Sequence, residues 1–225
     1  MTRGFHAMQK LSLPRHYSYK SKYTQPLTIN AYEISPSGIV PDHIIRPPYV
    51  NQHPQVHGDI LADPIHIMSM DQQECLRKAA NLGARTLKQA MDKTEIGMSL
   101  DDIDKIVHDY IVADEAYPSA IGFHQFPKSV CTSVNDVVSH GVPNSYVLKD
   151  GDYLNIDVVC FKHGHHGDNS GMVMLGNVHP DIVKLSEVTR ESMFKAIEIC
   201  KPGTKFSQIG AMIEDYAHDH GYAVN

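Results

Sequence analysis

Apolar residues recur every three or four positions in four stretches of the chain, which is the spacing that one face of a helix requires. The second stretch begins at Ser99, and Asp102 stands three residues further on, as in a capping box. Gly97 follows the first stretch, and Pro202-Gly203 separates the third from the fourth. The spacing predicts helices from about 70 to 97, from 99 past 110, from 181 to about 200 and from about 207 to 218.

Between the second and third helices the pattern changes to short runs in which apolar and polar residues alternate, as is typical of β-strands. Turn residues at 141–144, 149–152 and 164–167 separate these runs. The alternation predicts strands over 128–134, 152–161 and about 168–175. A strand region between two helix pairs predicts an α+β domain.

The two helix pairs are similar to each other at an offset of 106 residues. Gly97 corresponds to Gly203, and Tyr110 corresponds to Tyr216. These matches favour an internal duplication, although two helix–turn–helix units can share a glycine stop and an amphipathic face by chance. Strands follow the first helix pair after Tyr117. We therefore expect a pseudo-symmetric domain whose second half lacks its strands in this chain.

The amino-terminal part differs in composition from the rest. Eight of the 13 prolines lie in residues 1–64, and residues 1–32 contain five basic residues and no acid. A basic, acid-free start without a secretory apolar core is typical of an organellar transit peptide, and a solvated leader is the alternative. Residues 33–65 are predicted to form an extended arm on the surface of a domain that covers 66–225.

The overall composition excludes several classes of protein. Hydrophobic residues make up 42% and charged residues 20% of the 225-residue chain, which excludes a wholly disordered protein. No apolar run is long enough to span a membrane. The formal net charge of −6 argues against nucleic acid as the default partner. The four cysteines stand singly, which favours a reducing compartment over a disulfide scaffold or a zinc finger.

Two acidic residues occupy neighbouring predicted strands. Asp157 stands in mid-strand among β-branched residues, where a carboxylate is costly unless it is paired or binds a metal. If the turn is centred between residues 162 and 163, Asp157 and Asp168 lie directly opposite each other on one sheet face. A divalent cation between them removes the repulsion, and carboxylates suit Mn, Fe, Co or Zn. A metal site is one interpretation, and an open, solvated sheet face is the other.

Histidines near the strands are further candidates. His140 follows an apolar strand and precedes a Gly-Val-Pro turn, where functional side chains often stand on a rigid support. A turn histidine bonded to the backbone is the alternative. His163, His165 and His166 form a cluster, as in some metal sites. We expect this cluster at an exposed hairpin tip and interpret it as a solvated turn.

Four more residues group closely in the sequence. Phe123, His124, Phe126 and Cys131 lie within nine positions of one another. They could line a small apolar pocket or belong to the core, and periodicity does not separate these two readings.

Several of these segments resemble type 1 methionine aminopeptidases, which belong to metallopeptidase family M24. The resemblance is specific and collinear from about residue 66 to the carboxyl terminus, and the segments 16–19 and 41–50 resemble the mitochondrial branch. The segments that carry it are Tyr117-Pro118-Ser119, Phe126-Pro127-Lys128-Ser129-Val130-Cys131-Thr132-Ser133-Val134-Asn135, Val137-Val138-Ser139-His140-Gly141-Val142-Pro143, Leu148-Lys149-Asp150-Gly151-Asp152, Asn155-Ile156-Asp157-Val158 and His166-Gly167-Asp168-Asn169-Ser170.

The resemblance implies a pita-bread fold, in which two pseudo-symmetric halves surround a centre of two divalent metal ions. This chain would supply the first half and the helix pair of the second. The implied activity removes the initiator methionine from nascent proteins when the next residue is small. Nascent amino termini would be the partners, with the ribosome as a further candidate. The implied location is the mitochondrion, with the cytoplasm as the alternative.

The resemblance also implies roles for individual residues. Asp157 would chelate one metal ion and Asp168 would bridge both. His140 would contact the scissile amide or the leaving group. Phe123, Phe126 and Cys131 would form the methionine side-chain pocket, with His124 as a further substrate contact.

The chain departs from the family in ways that affect these implications. The family usually has Tyr at both Phe positions of the pocket and often has Cys where Ser139 stands. Its remaining metal ligands, one His and two Glu, have no counterpart up to Asn225. We therefore expect the chain to be a fragment that is inactive alone, or a non-catalytic pseudoenzyme that binds a partner. Phe126-Pro127-Lys128-Ser129-Val130 and His140-Gly141-Val142-Pro143 argue against a proline dipeptidase or a creatinase-like enzyme.

Overall fold

A computed structural model describes residues 32–51 and 66–224. The predicted leader within residues 1–32 lies outside the described residues except for Tyr32. Short 3-10 turns occur at Pro48–Asn51 and Phe123–Gln125. The helices and strands are α1 Met70–Lys93, α2 Leu100–Ala113, β1 Tyr117–Pro118, β2 Cys131–Val134, β3 Tyr153–Lys162, β4 His165–Met174, α3 Pro180–Glu198 and α4 Phe206–Asp219.

The capping pattern at the start of α2 is confirmed. The Ser99 hydroxyl accepts from the Asp102 N–H at 3.1 Å, and the Asp102 carboxylate accepts from the Ser99 N–H at 2.8 Å. Each bond satisfies an amide that the first turn of a helix leaves without a backbone partner. The end of α1 was predicted at Gly97, which is wrong: the helix ends at Lys93, because Thr94 is extended and its hydroxyl bonds the Ala90 carbonyl.

A four-stranded antiparallel sheet is organised around β3. On one side of β3, β1 pairs with its carboxyl end and β2 with its amino-terminal half, while β4 pairs along its whole length on the other side. Strand β2 is shorter than the predicted 128–134 because Ser129 donates its N–H to the Asp104 carboxylate at 2.6 Å instead of to a strand.

The turn between β3 and β4 sets the register of the hairpin. His163 and Gly164 both have positive φ, at 52° and 79°, which is the signature of a two-residue type I′ turn. Lys162 therefore pairs with His165. The turn is centred between residues 163 and 164, one position beyond the predicted centre.

Helix α1 covers one face of β3 and β4. Alternate β3 residues on that face, Leu154, Ile156, Val158 and Cys160, are 0% exposed. Gly167 permits the close approach of the helix, because a Cβ there would lie 2.1 Å from the Ala79 carbonyl oxygen. The side chains of β3 with odd numbers occupy the opposite face, and that face carries the candidate chemistry.

Residues 32–51 form an arm that packs on the surface of the domain. Val40 and Ile44 are buried against Tyr117 and Phe161 in a second, smaller apolar cluster. The division of the chain at residue 65 stays a prediction. None of the helices in the described ranges is long and apolar enough to cross a bilayer.

The second helix of each pair recurs at the predicted offset. Leu100–Ala113 and Phe206–Asp219 begin 106 residues apart and end 106 residues apart (206 − 100 and 219 − 113). α3 packs against α4. Large apolar side chains on these helices remain exposed, and they are Leu185, Met193, Phe194, Ile197 and Phe206.

A buried lysine joins the arm, α2 and the loop before β2. Lys128 is 1% exposed, and its ammonium lies 2.6 Å from Asp101 and 3.7 Å from Asp104. It also donates to the Ser35 hydroxyl of the arm at 2.7 Å. Burial raises the pKa of Asp104, while the Ser129 N–H and Lys128 act against that rise. Three segments distant in sequence thus share one charge network.

We expect Lys128→Met to reduce the free energy of unfolding by about 3–5 kcal/mol, because Asp101 and Asp104 would lose their buried counterion. Urea unfolding followed by circular dichroism measures the change. Lys105→Met is the matched control, since Lys105 pairs with Asp109 at 2.7 Å on an exposed helix face and should cost less than about 0.5 kcal/mol. Equal costs for the two variants would contradict the network.

Candidate functional site

Asp157 and Asp168 lie on the same face of the sheet, opposite to α1. Asp157 pairs with Ser170, and Asp168 pairs with Val159. The two acids are therefore diagonal neighbours, at a Cα separation of about 7–8 Å typical of such positions. The predicted direct opposition is wrong, because the turn is centred one position later. The shared face is as expected, since that shift displaces the pairing by two residues and strands alternate with a period of two.

The environment of Asp157 disfavours the ionised form of its carboxyl group. Its Oδ1 is buried and has no hydrogen-bond partner among the described residues. Burial raises the pKa of the Asp157 carboxyl, and the Asp168 carboxyl raises it further. A buried oxygen without a donor and a facing carboxylate are the conditions that a bound cation relieves.

Cys131 borders these carboxylates from β2. It is the cross-strand partner of Asp157, so the two side chains share one sheet face. Burial raises the pKa of the Cys131 thiol to about 11, and Asp157 and Asp168 contribute to that rise. The thiol is therefore neutral at physiological pH and offers a weakly polar wall beside the two acids.

His140 reaches the same site from the loop after β2. It is exposed and has φ of 54°, in the left-handed region. The next residue is held tightly: Gly141 accepts from the Thr132 N–H at 2.8 Å, and a Cβ on Gly141 would lie 2.1 Å from the Thr132 carbonyl oxygen. His140 acts on Asp157 through space, lowering the pKa of that carboxyl against the larger effects of burial and Asp168.

The three remaining pocket candidates occupy the 3-10 turn and its end. Phe123 is 51% exposed, and its ring contacts Tyr49 at 5.3 Å and His124 at 4.5 Å between centroids. His124 is exposed at φ of 46°. Phe126 is partly buried where the turn ends. The structure thus places Asp157, Asp168 and Cys131 on one sheet face with His140 in the adjoining loop. The pocket role of Phe123, His124 and Phe126 stays a prediction.

His166, which the sequence interpretation assigned to a solvated turn, is exposed but lies near the start of β4, where its side chain borders the candidate site. Its Nδ1 lies 2.9 Å from the Ser119 hydroxyl, and its ring contacts Phe161 and Tyr49 at 4.8 and 6.2 Å between centroids. Burial lowers the pKa of His166, and the nearby Asp168 acts in the opposite direction. Strand alternation in the sequence could have indicated this position, because His166 stands two residues before Asp168 and so shares its sheet face.

The other two histidines of the cluster behave as expected for a hairpin tip. His163 occupies the turn and is exposed. His165 bonds the His163 carbonyl through its own Nδ1 at 3.0 Å. Within residues 32–51 and 66–224, no three acidic, histidine or cysteine side chains converge as a metal-binding group. Asp157 and Asp168 fit part of a cation's ligand shell, since one buried Asp157 oxygen lacks a donor among the described residues.

Comparisons with known proteins place the chain in a family. The signature of the family described as metallopeptidase family M24 matches residues 74–225. Methionine aminopeptidase 1D, chloroplastic/mitochondrial, of Arabidopsis thaliana is 42% identical over 191 residues, which cover 85% of this chain and 54% of that protein. Mitochondrial methionine aminopeptidase 1D of Homo sapiens is 40% identical over 191 residues, 85% of this chain and 56% of that protein. The chain spans about half the length of these relatives.

Solved structures extend the likeness to the fold. The crystal structure of methionine aminopeptidase from Rickettsia prowazekii superposes with a TM-score of 0.70 and 37% identity, covering 72% of this chain and 65% of that one. Prolidase from Pyrococcus furiosus, at 16% identity and a TM-score of 0.61 over 69% of this chain and 45% of that one, shares the fold alone. The helices and antiparallel sheet form part of a pita-bread fold. The chain belongs to metallopeptidase family M24, and within that family it is similar to the type 1 methionine aminopeptidases.

Proposed function

We propose that this protein is a metal-dependent methionine aminopeptidase, which removes the initiator methionine from nascent proteins when the next residue is small. The observation that carries the proposal is the buried Asp157 Oδ1, which has no donor among the described residues and lies beside Asp168 on the open face of the sheet. Relatives that are 42% and 40% identical to this chain over 191 residues bear the name methionine aminopeptidase. Nascent amino termini would be the partners, with the ribosome as the place of encounter.

Asp157 and Asp168 would hold part of a centre of two divalent ions, for which Co, Mn, Fe and Zn are all chemically suitable. Such ions, when bound, polarise the scissile carbonyl and lower the pKa of the attacking water. Asp157 would hold these ions through its partly buried carboxylate, and Asp168 would hold them from the next strand. The bound charge would also relieve the repulsion between the two acids.

The remaining site residues would orient the substrate. His140 would hydrogen-bond the scissile amide or the leaving group from the exposed loop after β2. The neutral Cys131 thiol would contact the methionine thioether, for which a soft and weakly polar wall is suitable. Phe123 and Phe126 would supply the apolar rings of that pocket, with His124 at its edge.

The 225-residue polypeptide alone would not turn over peptides. Two carboxylates leave most coordination positions of two cations to other groups, and tight sites use three or more protein ligands per ion. Metal binding by this polypeptide would therefore be weak.

A specific observation favours a second candidate, a non-catalytic binding module of the same fold. The exposed apolar residues on α3 include Met193, Phe194 and Ile197, which are 47%, 44% and 55% exposed. Exposed apolar side chains that lie near one another mark protein interaction sites. This candidate and the enzyme differ in whether any form of the chain hydrolyses peptides.

Asp157→Asn should have two effects of opposite sign. Without metal, it should raise the free energy of unfolding by about 0.5–1 kcal/mol, because it removes a like-charge pair across the strands. It should also abolish the stabilisation of the chain by Mn²⁺, since a ligand that binds the folded state stabilises it. Thermal unfolding after chelator treatment, and then with added Mn²⁺, measures both.

Asp92→Asn is the control, because Asp92 makes an exposed ion pair with Lys88 at 2.6 Å on α1. It should leave the response to Mn²⁺ unchanged. An Asp157→Asn variant that responds to Mn²⁺ as strongly as the wild type would remove the metal role of Asp157.

The peptidase activity is best tested in two forms of the chain. The 225-residue polypeptide should release no methionine from Met-Ala-Ser in the presence of Mn²⁺. A chimera that continues this chain with the remaining length of human methionine aminopeptidase 1D should release it. Asp157→Asn in the chimera should lower the rate at least about 100-fold, the upper range for groups that merely support a metal ligand.

The substrate controls separate the candidate functions. Met-Leu-Ser should be a poor substrate, and Gly-Pro should remain intact. A chimera that is folded but inactive would favour the binding module. Cleavage of Gly-Pro in preference to Met-Ala-Ser would instead indicate a proline dipeptidase.

We also propose mitochondrial targeting by the leader, with the cytoplasm as the alternative. The relatives named above carry mitochondrial or chloroplastic designations. Residues 1–40 fused to a fluorescent reporter should direct it to mitochondria, and replacing all five basic residues of the segment 1–32 with Gln should leave it diffuse, since transit peptides depend on positive charge. A diffuse signal from the unmodified fusion would contradict the targeting role.

A further inference from the structure

Tyr49 connects the amino-terminal arm to three segments around the candidate site. It lies in the 3-10 turn Pro48–Asn51 and is partly buried. Its hydroxyl donates to the Ser119 carbonyl oxygen. Its ring meets Phe123 edge-on, at 5.3 Å and 74° between planes, and lies nearly parallel to the His166 ring at 6.2 Å and 19°. A tyrosine suits this position because its ring packs while its hydroxyl reaches a polar group.

Ser119 connects Tyr49 to strand β4 through two hydrogen bonds. Its backbone oxygen accepts from Tyr49, and its own hydroxyl lies 2.9 Å from Nδ1 of His166. His166 therefore has two supports, the Ser119 hydroxyl and the flat face of Tyr49. Because His166 and Asp168 project from the same face of β4, the orientation of His166 shapes the space beside the carboxylates.

The arm that presents Tyr49 is anchored independently of it. Val40 and Ile44 are 8% and 3% exposed and pack in the second apolar cluster. The buried His108 ring bonds the Ile39 carbonyl at 3.1 Å. Ser35 accepts from Lys128. Tyr49 therefore reaches the site from a fixed support, as a positioning group must.

We propose that Tyr49 is a positioning and specificity-determining residue of the peptidase site, which holds Phe123 and His166 in place at the side-chain pocket. The arm would then form part of the peptidase site through Tyr49. The inference rests on the proposed function, because the pocket role of Phe123 belongs to it. The hydroxyl of Tyr49 fixes Ser119, and the ring limits how far Phe123 and His166 can turn.

The test compares Tyr49→Ala and Tyr49→Phe with Tyr32→Ala in the 225-residue chain. Tyr32 is the matched control, because it is another arm tyrosine with an edge-on ring partner, Tyr146 at 5.2 Å, in the main core. The first readout is the NMR signal of the His166 ring nitrogens, assigned with a His166→Gln variant. The second readout is the affinity for L-methionine with Mn²⁺ present, from titration of the same samples.

Tyr49→Ala should shift the His166 signals and weaken L-methionine binding about tenfold, the scale expected when a pocket wall is lost. Tyr49→Phe keeps the ring, so it should shift the Ser119 carbonyl signal and retain affinity within about threefold. Tyr32→Ala should leave the His166 signals in place. Thermal unfolding checks that each variant is folded. If Tyr49→Ala does not fold, Tyr49→Phe decides the outcome.

Unchanged signals of His166 in Tyr49→Ala and of Ser119 in Tyr49→Phe would overturn the proposal, and Tyr49 would be a surface anchor only. The two proposals fail separately. A wild-type chain that does not bind L-methionine would count against the side-chain pocket of the proposed function, whereas the NMR signals still decide whether Tyr49 positions His166.

Discussion

The pairing of β3 with β4 beneath α1 is the constraint on which the rest of the structure depends. Successive side chains of β3 point to opposite faces, so the residues that fill the core also fix where the others go. Leu154, Ile156 and Val158 are wholly buried against α1. Asp157 is thereby directed to the open face, and a slip of one residue would place it under the helix. The core and the candidate metal site are two faces of a single strand.

Buried charge is treated in two different ways in this domain. Lys128 is almost wholly buried, yet two carboxylates and a hydroxyl surround its ammonium. Asp157 is partly buried beside another acid, and one of its oxygens has no donor among the described residues. In the first arrangement every charge has a partner, and removing one partner would be strongly destabilising, whereas the second places two acids side by side without a counterion among the described residues. Local conflicts of the second kind are typical of functional sites.

The arm joins these two regions. Its early residues reach the Lys128 network through Ser35, and its last turn brings Tyr49 to Phe123 and His166. The candidate site is therefore one wall assembled from the sheet, a loop and the arm. The chain spans about half the length of its curated relatives. This wall therefore supplies only part of the proposed metal ligands and of the proposed substrate channel.

Local rules in the sequence were sufficient for the four helices, the alternation of β3 and the shared face of Asp157 and Asp168. Helix caps and strand alternation depend on residues within a few positions of one another, and the family resemblance added the roles of those acids. The register was predicted wrongly because it depends on which two residues take positive φ in the turn, here His163 and Gly164.

The contacts of Lys128, Tyr49 and His166 were decided by the tertiary structure alone. Lys128 bonds Ser35, 93 residues away in the sequence, and Tyr49 bonds Ser119, 70 residues away. His166 bonds the same Ser119 across 47 residues. Periodicity states which face a side chain occupies but not which distant segment will cover that face. The chain therefore determined its elements and the residues of its candidate metal site, while packing of the arm on the sheet decided which other side chains surround them.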